Sequence, residues 1–198
     1  MHESCDIVSS FTKIFEREES ARKLIPLREI AKLVELLLDC KINSGRIFVA
    51  GNGGSASTAE HFVLDLGVGA FKHSIGAHLP MVSLVSNLPT ILALGNDLDF
   101  DEVFSSQLLA ADPKEFDVLL VFSASGNSEN ILRVLDVAHR LKMKSCAFTG
   151  FDGGQATDKC DLPIHIPTTP GDYGIVENIH LSICHAITEY LRNRSSLD

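Results

Sequence analysis

The chain has 198 residues, 45% of them hydrophobic, and a formal net charge of -9 at pH 7. That length and apolar content suffice for one full core with a modest appendage and leave no room for a second large domain. The acidic balance argues against non-specific binding to nucleic acid or anionic membranes, which needs clustered Lys and Arg, so an anionic ligand must be held by local dipoles.

Ile7, Phe11, Ile14 and Phe15 share one helical face, the charged stretch EREESARK (16–23) follows, and Ile30, Leu33, Val34 and Leu37 form a second stripe. Two amphipathic helices therefore precede the first strand. They are free to pack with copies of themselves, which marks residues 1–44 as a helical segment for oligomer contacts and leaves 45–198 as the main domain. The start MHESCDIVSS lacks the basic and apolar regions of a secretory signal, and no apolar run is long enough to span a bilayer. Cys5, Cys40, Cys146, Cys160 and Cys184 are odd in number and show no CxxC spacing. They read as small core residues of a reduced, cytoplasmic protein.

From Arg46 onward strand and helix patterns alternate. Strands are expected at Arg46–Ala50, Met81–Val85, Asp117–Phe122, Ser145–Thr149 and Leu162–Ile166. Helices are expected near Ala56–Leu66, Pro89–Leu94, Glu102–Ala111, Ser128–Leu141, Gln155–Lys159 and Gly174–Asn193, with a frayed tail, NRSSLD. Such alternation specifies a parallel α/β sheet with right-handed crossovers.

Two small-residue loops, GNGGS (Gly51–Ser55) and SASGNS (Ser123–Ser128), each follow a strand and open a helix. Both would lie at the carboxyl edge of the sheet, where ligands of open α/β sheets collect. Small residues let backbone N–H groups approach an anion, hydroxyls donate to it, and the helix start adds partial positive charge. Either loop alone is as readily a tight turn with a serine cap, but two of the same chemistry point to a phosphorylated small molecule. Neither carries a Walker GKS/GKT nor the GxGxxG spacing, which argues against nucleoside triphosphates and NAD.

His61 and Asp65 stand i,i+4 on the helix after the first loop, stacking an imidazole and a carboxylate on one face. The pair suits a metal ion, and the plainer alternative is a surface hydrogen bond. The triplet GND (Gly95–Asp97) falls between two helices as an ordinary turn. In the last helix Ile179, Ile183, Ile187 and Leu191 recur every fourth residue, with Glu177, His180 and His185 embedded among them. Buried ionisable groups must be paired, so one or two of these face a site. His180 reads as a satisfied core histidine, as do His2, His73, His78, His139 and His165.

Taken in order, GNGGS with His61 six residues on, GND, SxSGNS, TGxDGG (Thr149–Gly154) and ExxHxxxxH (Glu177–His185) resemble the sugar isomerase (SIS) domain family of the phosphoheptose isomerase type. The resemblance runs from about Arg46 to Arg192, with the helical N-terminus in keeping. It implies a flavodoxin-like, doubly wound, five-stranded parallel sheet with N-terminal helices, assembled as a homotetramer with active sites at subunit contacts. The activity implied is conversion of sedoheptulose 7-phosphate to D-glycero-D-manno-heptose 7-phosphate. Asn52, Gly53, Gly54, Ser55, Asn96 and Asp97 match substrate-holding positions, as do Asp65 and Glu177. Ser123, Ala124, Ser125 and Ser128 match the phosphate loop, with alanine where many relatives have threonine. His61, Asp65, Glu177 and His185 match the ligand positions of a divalent metal, zinc in the family.

Three departures stand out. Asp65 replaces the family's usual glutamate, Glu177 its usual glutamine, and the segment before Glu177 (DYGIV) lacks an Asp and an Arg carried by many relatives. Acid and metal-ligand chemistry survive these changes, so they bear on the sugar more than on the reaction. The implied chemistry makes Asp65 the base at carbon and His185 its acid/base partner, with the metal polarising the carbonyl; Asp65 and Glu177 can exchange roles. A non-catalytic sugar-phosphate-binding or partner-binding module would keep the loops and lose the acid and histidine positions, whereas here they persist. An isomerase of another ketose phosphate is the second alternative. Glu177 and His185 are eight residues apart, about 12 Å of rise and roughly 80° of rotation in an unbroken helix. One metal does not easily take both, so either the helix begins just before His180 or a ligand comes from a neighbouring subunit, which is the arrangement favoured here.

Overall fold

The computed structural model describes residues 2–69 and 78–194, the side chains of 2–5 and 194 aside. Helices α1 (His2–Arg22) and α2 (Leu27–Ile42) precede β1 (Ile47–Gly51), α3 (Gly53–Leu64) and β2 (Met81–Ser83). Then come α4 (Leu88–Asp97), α5 (Val103–Ala110), β3 (Val118–Ser123), α6 (Glu129–Arg140), β4 (Lys144–Thr149), α7 (Gly154–Lys159), β5 (Leu162–His165) and α8 (Tyr173–Arg194). All strand pairs are parallel, in the order β2-β1-β3-β4-β5. The chain order reverses between β1 and β3, so the loops leaving these two strands flank the switch point of a flavodoxin-like sheet.

Side chains alternate across the sheet and divide the core in two. Ile47, Val49, Val118, Leu120, Phe122, Cys146 and Phe148 face α2, α3 and α8, while Phe48, Ala50, Leu119, Val121 and Ala147 face α5 and α6. Every residue of β1 and β3 is buried, as expected of strands covered on both faces. At the opposite sheet edge from the loops, buried Asp117 accepts from the backbone N–H and guanidinium of Arg46 and from the Lys114 N–H, at 2.6–3.1 Å. That clamp ties the start of β1 to the start of β3 and so sets the two loops level.

Local differences from the sequence reading have identifiable causes. The charged stretch 16–23 does not separate the helices; all but Lys23 belongs to α1. Its polar groups grip α8 and the residue before it through Arg17–Asp172 (3.1 Å), Arg22–Ser182 (3.0 Å) and Asn178–Glu18 (3.2 Å). GND is no inter-helix turn: it forms the last turn of α4. The tail is helical through Arg194; its remaining residues and His73 lie outside the described residues. Burial pushes the thiols of Cys40 (to about 11), Cys146, Cys160 and Cys184 up, so they behave as inert core groups. The Cys5 side chain is outside those described. No helix among the described residues is long and apolar enough to cross a membrane.

His180 is buried but only half satisfied. Its Nε2 lies 3.4 Å from the Thr149 carbonyl, Nδ1 has no hydrogen-bond partner among the described residues, and the ring packs 5.6 and 6.0 Å from the Phe148 and Phe122 rings. Burial holds its pKa down, from 6.5 to about 4, against the smaller opposing pull of the Thr149 carbonyl. As pH falls between those two values the unfolded chain takes up a proton that the folded chain refuses. Stability is therefore full above the upper value and is lost toward the lower, by on the order of 3 kcal/mol across the window. Denaturant melts near pH 7 and near pH 4.5 should show this loss in the wild type and a smaller one in His180→Phe; equal losses would contradict it.

Candidate active site

Three chemistry-bearing side chains converge within one chain. His61 and Asp65 lie on adjacent turns where α3 widens into a π-helical turn, Asp65–Gly69, a distortion common at functional sites. His185, from the middle of α8, meets them: its Nε2 is 3.1 Å from His61 Nε2 and 4.0 Å from Asp65 Oδ2, and His61 Nε2 is 3.5 Å from Asp65 Oδ2. The ligand atoms all lie within 4.8 Å of one another, a group able to hold a metal ion. Two Nε2 atoms at hydrogen-bond distance cannot both carry a proton, so at least one presents a lone pair. Both histidine side chains are about half exposed, at 44% and 50%. A hollow of about 670 Å³ opens beside His61, lined by Ala56, Ser57, Glu60, Leu64 and Val85.

Glu177 does not join that group. The whole of Tyr173–Arg194 is one helix, so no bent entry separates Glu177 from His185, and the two lie too far apart along it to share one metal easily. Its carboxylate instead covers Gly54, where a Cβ would come within 2.2 Å of Oε2. Glycine thus lets an acid reach the first turn of α3, inside the first loop. Desolvation there raises the Glu177 pKa above the usual carboxylate value. No neighbouring subunit is needed to bring His185 to this group, since it and Asp65 are neighbours in one chain. Mixing Asp65→Asn with His185→Ala protein cannot rejoin them.

The second loop is built as a donor. Ser123 Oγ accepts from the Gly126 N–H (3.1 Å) and Ser125 Oγ from the Asn127 N–H (3.2 Å). Each hydroxyl oxygen thus accepts a hydrogen bond from a loop N–H and keeps its own hydrogen to donate. The TGFDGG segment and the first turn of α7 brace this loop: Gly150 N–H donates to Ala124 O and Ala156 N–H to Gly126 O (both 2.9 Å), and Gln155 N–H donates to Asn127 Oδ1 (3.0 Å). Gly126 (φ +64°) and Gly154 (φ +56°) press backbone on backbone; a Cβ on Gly154 would fall 2.3 Å from Ser125 O. Gly154→Ala should therefore cost about 1–3 kcal/mol for the left-handed backbone alone and weaken inorganic phosphate binding by moving Ser125. Thermal melts and phosphate titration check both; unchanged phosphate affinity would detach the brace from the loop.

Asn96 and Asp97 are exposed at the end of α4, with Asn96 Nδ2 donating to Asp97 Oδ1 at 2.8 Å. The structure does not draw them into the His61, Asp65 and His185 group. It adds residues that pattern reading passed over. Ser83 accepts from the Val85 and Ser86 N–H groups (3.0 Å each) and so donates to Glu60 beside the hollow. Asn52 and Asn130 exchange two side-chain hydrogen bonds, 2.8 and 3.0 Å. The available signal for Asn130 was an amide at i of an i, i+4, i+7 set completed by buried Val134 and Val137.

A family model described as SIS domain matches residues 12–150. A phosphoheptose isomerase of Laribacter hongkongensis is 35% identical over 182 residues, 90% of each chain. The chain belongs to the phosphoheptose isomerase family of SIS-domain proteins. Two solved structures agree: phosphoheptose isomerase GmhA from Neisseria gonorrhoeae (30% identity, TM-score 0.81, 95% of this chain and 97% of that one) and a phosphoheptose isomerase from Francisella tularensis (29%, TM-score 0.84, 98% and 100%). This chain sets one acid, Asp65, beside two histidines and places a second acid, Glu177, over the first loop.

Proposed function

We propose that this protein is an aldose–ketose isomerase interconverting sedoheptulose 7-phosphate and D-glycero-D-manno-heptose 7-phosphate. The observation that carries it is the gathering of His61, Asp65 and His185 within 4.8 Å, on a chain whose serine loop leaves the neighbouring strand at the same switch point. The Ser123 and Ser125 hydroxyls and the start of α6 hold the phosphate, with Ala124 and Ser128 completing the loop. This remote grip holds the reacting end in place. The backbone of Asn52, Gly53, Gly54 and Ser55 carries that end along the start of α3, and Asn96 and Asp97 serve the sugar hydroxyls.

Asp65 takes the proton from the carbon beside the carbonyl and returns it to the neighbouring carbon, while His185 moves the proton between the two oxygens. His61, Asp65 and His185 would hold a divalent metal; their 3.1 Å nitrogen pair fits the roughly 3.3 Å edge of a tetrahedral zinc site with Zn–N near 2.0–2.1 Å. Bound there, zinc would polarise the carbonyl oxygen. Glu177, over Gly54, is the substrate-side carboxylate and the residue that can exchange roles with Asp65.

The half-exposed histidines call for cover, because proton transfer gains from excluding water. The outward face of α1, with Ile7, Val8, Phe11 and Phe15 more than half exposed, is an apolar stripe suited to another copy. We assign 1–44 to contacts that assemble a homotetramer closing each site, in the cytoplasm. The test of function is incubation of the zinc-supplied protein with pentulose, hexulose and heptulose phosphates. Conversion of the heptulose phosphate supports the assignment; conversion of another ketose alone, or of none, overturns it.

A further inference from the structure

Asn52 and Ser128 are the N-cap residues of α3 and α6, the two helices that start at the site, and neither side chain caps its own helix. Asparagine and aspartate at other helical starts do cap: Asn87 accepts from the Thr90 N–H (3.2 Å) at the start of α4, and Asp99 from the Asp101 N–H (3.0 Å) at the short 3-10 turn Phe100–Glu102. Asparagine is among the best capping residues, so something must hold Asn52 away from that role. Asn130 does: its side chain, 2% exposed, gives and receives one hydrogen bond with the Asn52 amide. Asn130 stands two residues after Ser128, on the first turn of α6, so the bridge also joins the first loop to the second.

We propose that Asn130 is a positioning residue: by holding the Asn52 amide sideways, the Asn52–Asn130 bridge keeps the first N–H groups of α3 open to the sugar and fixes the first loop against the phosphate loop. The proposal deepens the isomerase reading and rests on it for the identity of the sugar. Without Asn130, Asn52 turns onto its own helix and competes with substrate for the same N–H groups. The phosphate loop hydroxyls, held by their own backbone partners, are untouched.

Calorimetric titration of the zinc-supplied protein with sedoheptulose 7-phosphate and, separately, inorganic phosphate tests it. Asn130→Ala should bind the sugar phosphate at least tenfold more weakly and inorganic phosphate as the wild type does. Adding Asn52→Ala should recover at least threefold of that loss, because no side chain remains to close the end of α3. A merely structural amide pair predicts no recovery. Equal weakening toward both ligands, normal sugar binding in Asn130→Ala, or a double variant no better than the single overturns the proposal. Should Asn130→Ala not fold, Asn52→Ser at the half-buried partner position supplies a capping hydroxyl too short to reach Asn130. It should show the same selective loss, and normal sugar binding would overturn the proposal. A wild type that binds the heptulose phosphate without converting it would sink the isomerase reading while leaving the bridge's effect on binding measurable.

Discussion

Asp65→Asn is expected to lower exchange of the sugar's carbon-bound proton with solvent by roughly 10²–10⁴-fold, the range supplied by a positioned general base. Ketose phosphate binding should stay within a few fold, since the phosphate loop is separate from the acid. The amide matches the carboxylate in shape and can still touch His61, but it has no basic oxygen to receive a proton. Because Asp65 also lies 3.5 Å from His61 and 4.0 Å from His185, metal content must be measured alongside, with retained zinc isolating the lost base. Glu177→Gln is the companion experiment: it removes the charge over the first loop while keeping the side chain's shape, and it should leave most of the exchange intact. If Glu177→Gln stops exchange and Asp65→Asn does not, the two acids have exchanged roles. Asp65→Glu lengthens the acid by one methylene, and a shift of preference among ketose phosphates would tie its length to the sugar.

Ser123→Ala and Ser125→Ala should each raise KM for the sugar phosphate by one to two orders of magnitude, since a hydroxyl bonded to a charged acceptor contributes about 1.5–3 kcal/mol. Folding should change little. The Gly126 N–H that loses the Ser123 hydroxyl still reaches the Ser123 carbonyl at 3.1 Å, and Ser125 lies outside both cores. Steady-state kinetics with thermal melts separate the effects. A KM unchanged in both variants would make the loop a structural turn.

The fold was legible because its signals are local and repeated. β3 announces itself as VLLVF, an uninterrupted apolar run that suits a doubly covered strand, and α8 as isoleucines every fourth residue. Boundaries moved where a polar run continued a helix: Glu16–Arg22 stay in α1 because α8 offers Ser182 and Asn178, and the residue just before it, Asp172, as partners, a tertiary fact no window contains. The i,i+4 pair His61 and Asp65 could be read from spacing alone. That His185 completes it could not, since the meeting depends on how α8 packs against α3. Glu177 shows the same limit: its position in ExxHxxxxH suggested a metal ligand, but the missing side chain of Gly54 draws its carboxylate to the first loop. Asn130 escaped notice because its partner lies 78 positions away, and a buried amide in an apolar helix face gains meaning only when that partner is known.

The central claim is proton transfer between adjacent carbons of a phosphorylated heptose at the His61, Asp65 and His185 group. The most direct measurement is proton NMR of sedoheptulose 7-phosphate incubated with the zinc-supplied protein in D₂O. An enediolate mechanism with a solvent-exchanging base predicts an aldose product carrying deuterium at carbon 2, formed by wild type and lost in Asp65→Asn. No aldose product and no deuterium in the recovered ketose, from protein shown to bind the sugar phosphate, would contradict it.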